Sequence, residues 1–283
     1  MKTFSNREIE QYYDLSKTHY EKFWGLRRSR SLHYGYWDAG TKNFHKALLN
    51  INRILSEKAA IKKDDRVLDA GCGIGGSSLW LAKNVGCRVT GISLSAKQVA
   101  SANEAAAHDS LQSLTLFEQK DFTATGYPDE SFDVVWAIES VCHAADKSAF
   151  IKEAYRILKK GGRLILADFF KQPGLTGKDA LLITDWANGW AIDDFETLQN
   201  FTGQLNAAGF KDVKNEDATA HIIPSAKRLY RAYFPGVIGG FIYRLFNRNA
   251  TVFGKKNIDT AYLQYKALKK GLWTYNIILA NKP

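Results

Sequence analysis

Cysteine is scarce. Of 283 residues only Cys72, Cys87 and Cys142 are cysteines, an odd set with neither a disulfide framework nor metal-ligand spacing, which points to a reducing compartment and, by default, the cytoplasm. Long apolar runs are missing too. None approaches the roughly 20 residues that cross a bilayer, and the opening MKTFSNREIEQYYD is polar where a secretory signal would be apolar. The expectation is a soluble or membrane-peripheral protein. No His/Cys cluster and no spaced carboxylate set suggests a catalytic metal. Internal repeats, low-complexity tracts and Pro-rich linkers are also absent, so the chain reads as one core with additions. At 45% apolar and 24% charged residues it has the material for that core.

Acidic residues fail in one place. From Ser225 to Pro283 there are 11 Lys and Arg against Asp259 alone, a net of +10 that equals the excess of the whole chain. Tyr230, Tyr233, Phe234, Phe241 and Tyr243 are interleaved with Arg228, Arg231, Arg244 and Arg248 there. Two explanations stand: a peripheral contact with anionic lipid headgroups, and a plain solvated basic face.

What is present begins with alternation. Ser5-Asn6-Arg7-Glu8 has capping-box spacing and predicts a helix through Tyr12 and Tyr13. Short apolar runs at residues 65–70, 88–92, 114–119, 132–137 and 163–167 alternate with helical spacings at 77–85, 95–107 and 149–158, the last stopped by Gly161-Gly162. Such units imply a doubly wound parallel sheet. Runs at 210–213 and 275–280 complete it as an antiparallel pair. The expected fold is α/β and Rossmann-like, with seven mostly parallel strands. Residues 1–60 would form an N-terminal helical lid, and 61–283 a core with inserted helical lids near 171–200 and 225–270.

Gly71, Gly73 and Gly76 fit G-x-G-x-x-G at a strand-to-helix turn, which lets the backbone approach a ligand at a helix N-terminus. That alone would suit a dinucleotide. Asp69, two residues before the first glycine, would repel a pyrophosphate but suit a cationic amino group. The end of the second strand, Gly91-Ile92-Ser93-Leu94-Ser95, also lacks the acid that an NAD ribose needs. S-adenosylmethionine (SAM), with an ammonium and a sulfonium, fits both observations. The plain alternatives are a tight turn for the glycines and a strand-end cap for Asp69.

The segments VLDAGCGIGGSSLWLA, VTGISLSAKQ, DESFDVVWAIESVCHAAD and ILKKGGRLILADF cover most of residues 66–169. They resemble successive motifs of class I SAM-dependent methyltransferases, and GISLSAKQ is similar to the tocopherol/sterol C-methyltransferase branch. The resemblance implies that Gly71, Gly73, Gly75 and Asp69 hold the cofactor, with Ser93, Leu94 and Gln98 on its adenosine half. Asp121 and Phe122 would meet the adenine edge, Ala137 would sit at the next strand end, and Tyr13, His33 and Tyr34 would close over the methionine part. Ser95 and Gln98 also fit a capping box, a competing use for Gln98.

Methyl transfer is an in-line displacement, so alignment, exclusion of water and removal of a proton are what a protein supplies. His143 is the candidate base because an imidazole titrates near neutrality; its other reading is a helix-entrance cap. Asp168 would orient it or bind the acceptor, and Glu139 would hold the acceptor's polar end or balance developing positive charge. The ending KALKKGLWTYNIILANKP resembles tocopherol methyltransferases and implies a small lipophilic acceptor, such as a prenylated phenol or quinol or a terpenoid. O- or N-methylation of another natural product stays open. A nucleic-acid methyltransferase would use the basic tail, but Asn-Pro-Pro-Tyr and Pro-Cys motifs are lacking. A non-catalytic SAM-binding or membrane-binding module is the remaining class.

Overall fold

Alternating burial fixes the sheet. In the computed structural model, which describes residues 4–11, 29–246 and 252–283, Val67, Val134, Trp136 and Ile165 pack on one face while Leu68, Val135, Leu164 and Leu166 pack on the other. That period of two, apolar on both sides, belongs to strands covered by helices on both faces. The strands are β1 (Arg66–Ala70), β2 (Arg88–Ser93), β3 (Thr115–Gln119), β4 (Phe132–Ile138), β5 (Leu158–Lys171), β6 (Lys211–Asp217) and β7 (Trp273–Asn281). They form one sheet in the order β3-β2-β1-β4-β5-β7-β6, with β7 antiparallel to both neighbours. The edge strand β6, KDVKNED, keeps its charges exposed, which blunts edge-to-edge pairing.

The helices that follow the N-terminal stretch are, among the described residues, α1 (Phe44–Lys58), α2 (Gly76–Asn84), α3 (Ala96–His108), α4 (Lys147–Ile157), α5 (Gly177–Gly189), α6 (Leu198–Ala207), α7 (Thr219–Phe246) and α8 (Val252–Lys269). Side-chain caps start several of them: Asn43 accepts from Lys46 N–H, and Asp146 from Ser148 and Ala149 N–H. α5 follows β5, and the α7–α8 pair lies between β6 and β7, where α8 packs on both α7 and α5.

Two expectations are revised. Gly161-Gly162 is no helix stop, because α4 runs straight into β5, and Gly161, at φ +73, bends the strand where its register with β4 shifts. The N-terminal segment also divides. α1 buries Ala47, Leu48, Ile51, Asn52 and Leu55 on one stripe against α2 and β5, so it packs the sheet instead of capping the strand ends. The capping box at Ser5 forms, with Ser5 N–H to Glu8 Oε2 at 2.9 Å and Glu8 N–H to Ser5 Oγ at 3.3 Å. Tyr12 and Tyr13 lie outside the described residues. Among the described residues no helix is long and apolar enough to cross a membrane.

Candidate active site

At β1 the winding reverses: β2 and β3 lie to one side, β4 and β5 to the other. Strand carboxyl ends part into a crevice at such a point, and a cavity of about 340 Å³ opens there. Its first wall is the β1–α2 loop. Asp69 is buried, and its carboxylate accepts from Ser78 Oγ at 2.5 Å. Burial pushes this carboxyl up to about 6, against the pull of the Ser78 hydrogen bonds. A buried carboxylate facing a cavity is a site for a cation. Gly71, at φ +88, has no room for a side chain, because a Cβ would run into Ser140. Gly73, at φ +54, has no atom within 4 Å of where its Cβ would stand. Its backbone therefore offers a cradle that any side chain would fill, which fits a closely approaching cofactor.

The next wall is the β2–α3 junction. Ser95 caps α3 by accepting from Gln98 N–H at 3.2 Å, yet Ser95 N–H donates to Ser93 Oγ at 3.2 Å. The capping box is half made. That leaves the Gln98 amide, which accepts from Ser93 Oγ at 2.7 Å, on the cavity surface with Ser93 and Leu94. Asp121 and Phe122 adjoin them. Asp121 accepts from Thr123 N–H and Oγ, and from Asn6 Nδ2, each at 2.7 Å, so the N-terminal residues dock against this wall.

The opposite side follows β4. Glu139, at φ +50, accepts from Tyr34 N–H at 2.7 Å and from Tyr275 Oη at 2.8 Å. Burial, with a smaller push from the Asp168 charge, holds its carboxyl well above the usual range. His143 ends a 3-10 turn, Val141–His143, with Nδ1 3.4 Å from Ala191 O. Burial lowers its pKa to about 4, so the ring is neutral at pH 7. His33, Nδ1 2.9 Å from Tyr34 O, is lowered to about 4 for the same reason. Phe169 meets the rings of Tyr34, Trp186, Trp190, Phe195, Trp273 and Tyr275 at centroid distances of 5.4–6.0 Å. Leu229 of α7 and Thr260 of α8 also line this side.

A strap borders the mouth. Arg30, at φ +51 and paired with Asp109, sets its carbonyl against Gly76, where a Cβ would collide with it. Phe4 N–H donates to Asp193 Oδ1 at 2.6 Å, and Phe4 and Ile9 pack with Ala191, Leu94 and Trp190.

All the residues singled out from the sequence line this one cavity except four. Tyr13 is outside the described residues. Gly75 caps α2 at φ +83, and its missing Cβ makes room for Phe117 and Ala102, so it serves packing. Ala137 belongs to the core on the α4 and α6 side, where the strand pleat sends its methyl. Asp168 is buried beneath the site, accepting from Cys142 N–H at 2.9 Å and Phe169 N–H at 2.8 Å; what it fastens is the turn that carries His143. Burial raises its pKa to about 6. Sequence reasoning passed over Phe169, Tyr275, Leu229 and Thr260, which reach the site only through pairing and packing of distant segments.

Residues 68–166 match the methyltransferase domain family. The chain is 34% identical over 218 residues to the 27-O-demethylrifamycin SV methyltransferase of Amycolatopsis mediterranei, across 77% of this chain and 79% of that one. It is 38% identical over 219 residues to the 2-methyl-6-phytyl-1,4-hydroquinone methyltransferase of Synechocystis, across 76% and 67%. The cyclopropane synthase MmaA2 of Mycobacterium tuberculosis has the same fold, with a TM-score of 0.84 at 16% identity over 99% of both chains. With its glycine cradle and buried Asp69 at the head of a reversed-winding sheet, the chain belongs to the class I SAM-dependent methyltransferases, and SAM is its cofactor.

Proposed function

We propose that the protein methylates a small lipophilic acceptor, a prenylated phenol or quinol or a terpenoid, with His143 as the assisting base. The observation that carries this reading is a single cavity joining the glycine loop to a wall of Phe169, Trp190 and Leu229. SAM, when bound, supplies an electrophilic methyl group. Asp69 and the backbone of Gly71 and Gly73 would hold its amino-acid end, with Ser93, Leu94 and Gln98 on the adenosine and Asp121 with Phe122 at the adenine edge. His33 and Tyr34 cover the remainder.

His143, neutral at pH 7, accepts the acceptor's proton at a ring nitrogen. Glu139, fixed by Tyr34 and Tyr275, faces the acceptor's polar end or the charge that develops there. Asp168 positions the His143 turn. Phe169 and Trp190 exclude water and orient an apolar body.

The phytyl-hydroquinone relative supports the quinol reading. The demethylrifamycin relative favours a second one, O-methylation of another natural product. The lipophilic-acceptor reading also takes the acceptor from a membrane, reached through the basic, aromatic C-terminal segment. Calorimetric titration with S-adenosylhomocysteine (SAH) and with NADH, on wild type and Asp69→Ala, comes first. Micromolar SAH binding that weakens in the variant, followed by turnover on lipophilic phenols, is expected. NADH binding in its place, or turnover confined to nucleic acid, would sink the proposal.

A further inference from the structure

α7 has two faces with different business. Its inner face gives Leu229 to the cavity, beside Thr260 from α8. Its outer face exposes Ile223, Lys227, Arg231 and Phe234, which recur every three or four residues and so share one side of the helix; Arg228 and Val237 flank them. Phe234 is 51% exposed, Ile223 41% and Val237 39%. Residues 219–246 hold four basic side chains and no acidic one.

This face presents exposed apolar side chains beside cations with no acid among them, so it can seat Ile223, Phe234 and Val237 at a headgroup boundary while its cations meet anionic charge. Beneath this face, Tyr230 and Tyr233 meet Tyr262 and Tyr265 of α8 at ring-centroid distances of 4.9–5.8 Å. Tyrosines, with an apolar body and a polar tip, collect at headgroup level. Residues 1–224 are formally neutral, so the net positive charge of the chain is carried by residues 225–283, to which most of α7 belongs.

We propose that the outer face of α7 docks on an anionic lipid bilayer, so that an acceptor dissolved in the membrane reaches the cavity past the helix that walls it. The delivery step rests on the lipophilic-acceptor reading above; the docking does not. Each basic residue near an anionic surface favours binding by roughly fivefold.

The test is co-sedimentation of the full chain with vesicles of phosphatidylcholine alone and of phosphatidylcholine mixed with phosphatidylglycerol, in low and high salt, with SAH titration on each variant. Binding to the mixed vesicles at least about tenfold tighter than to phosphatidylcholine, and weakened by salt, is expected. Lys227→Glu with Arg231→Glu should lower it about tenfold or more, and Phe234→Ser with Val237→Ser severalfold, both with SAH affinity unchanged. Equal binding to both vesicles, no vesicle binding, or variants that bind as wild type would overturn the docking. So would retention on single-stranded RNA, lost on charge reversal, by a protein that ignores vesicles. Failed docking with intact SAH binding leaves the methyltransferase reading standing; a wild type that ignores SAH removes that reading and leaves the docking to be judged by the vesicles.

Discussion

The side of the cavity beneath the β1–α2 loop is made of strand ends and tight turns, where in the proposed reading backbone conformation and one carboxylate hold the cofactor. The side towards α7 is made of rings, packed from β5, α5, β7 and the strap around Phe169. The first is set by torsion angles, with no room for a side chain at Gly71 or Gly75; the second is set by volume and can be reshaped by changing one ring for another. In a family that keeps one cofactor and changes acceptors, this division separates what must stay fixed from what can vary.

Substitutions can break or sharpen that division. The largest effect is expected at His143: His143→Ala should cut turnover about 10²- to 10⁴-fold while SAH affinity, by calorimetry, stays within about twofold. Because the ring's pKa is held at about 4, it is deprotonated at pH 6 and at pH 8 alike, so the variant's deficit should be equal at both. Next, Phe169→Ala removes the centre of the ring cluster and should cost about 3–5 kcal/mol in denaturant unfolding, with SAH affinity of the folded protein retained. A loss below about 1 kcal/mol would mean that rings are not what builds this side.

Asp69→Asn tests the other side, and should weaken SAH by about 10- to 100-fold, the scale of a hydrogen bond to a charged group. In the wild type the carboxyl is protonated below about pH 6 and charged above it, so SAH affinity should rise with pH through 6 and level off. In the variant that rise disappears. The smallest effect on folding is expected at Gly73: Gly73→Ala puts its methyl into open space, so it should cost only about 1–2 kcal/mol for a left-handed residue yet abolish measurable SAH binding. Gly71→Ala, which collides with Ser140, should lower the Tm much further. Equal Tm losses for the two would blur the distinction between a glycine kept for the fold and one kept for the ligand.

The strand-built side was legible because its signals are local. Asp69, Gly71, Gly73, Ser93 and Gln98 lie within two strand-turn-helix units, and the strand order follows from alternation. Gly75 read as part of the same loop because spacing carries no information about which glycine faces Phe117 and which faces the cavity. Phe169 and Tyr275 were invisible for another reason. They are register partners across the β5–β7 pair, 106 residues apart in sequence, and nothing local encodes an antiparallel register formed after four intervening helices. Asp168 was read at the right strand end, but which backbone amides its carboxylate would capture depended on the turn at Cys142.

The contact of Arg30's carbonyl with Gly76 also bears on the order in which ligands should bind. The stretch at Arg30, seated on the last glycine of the loop and held there by Asp109, lies at the glycine end of the cavity and away from its ring-lined side, so the expected order is SAM bound first and SAH released last. SAH should accordingly inhibit competitively against SAM and noncompetitively against the acceptor in steady-state kinetics, and competition with both would remove that order.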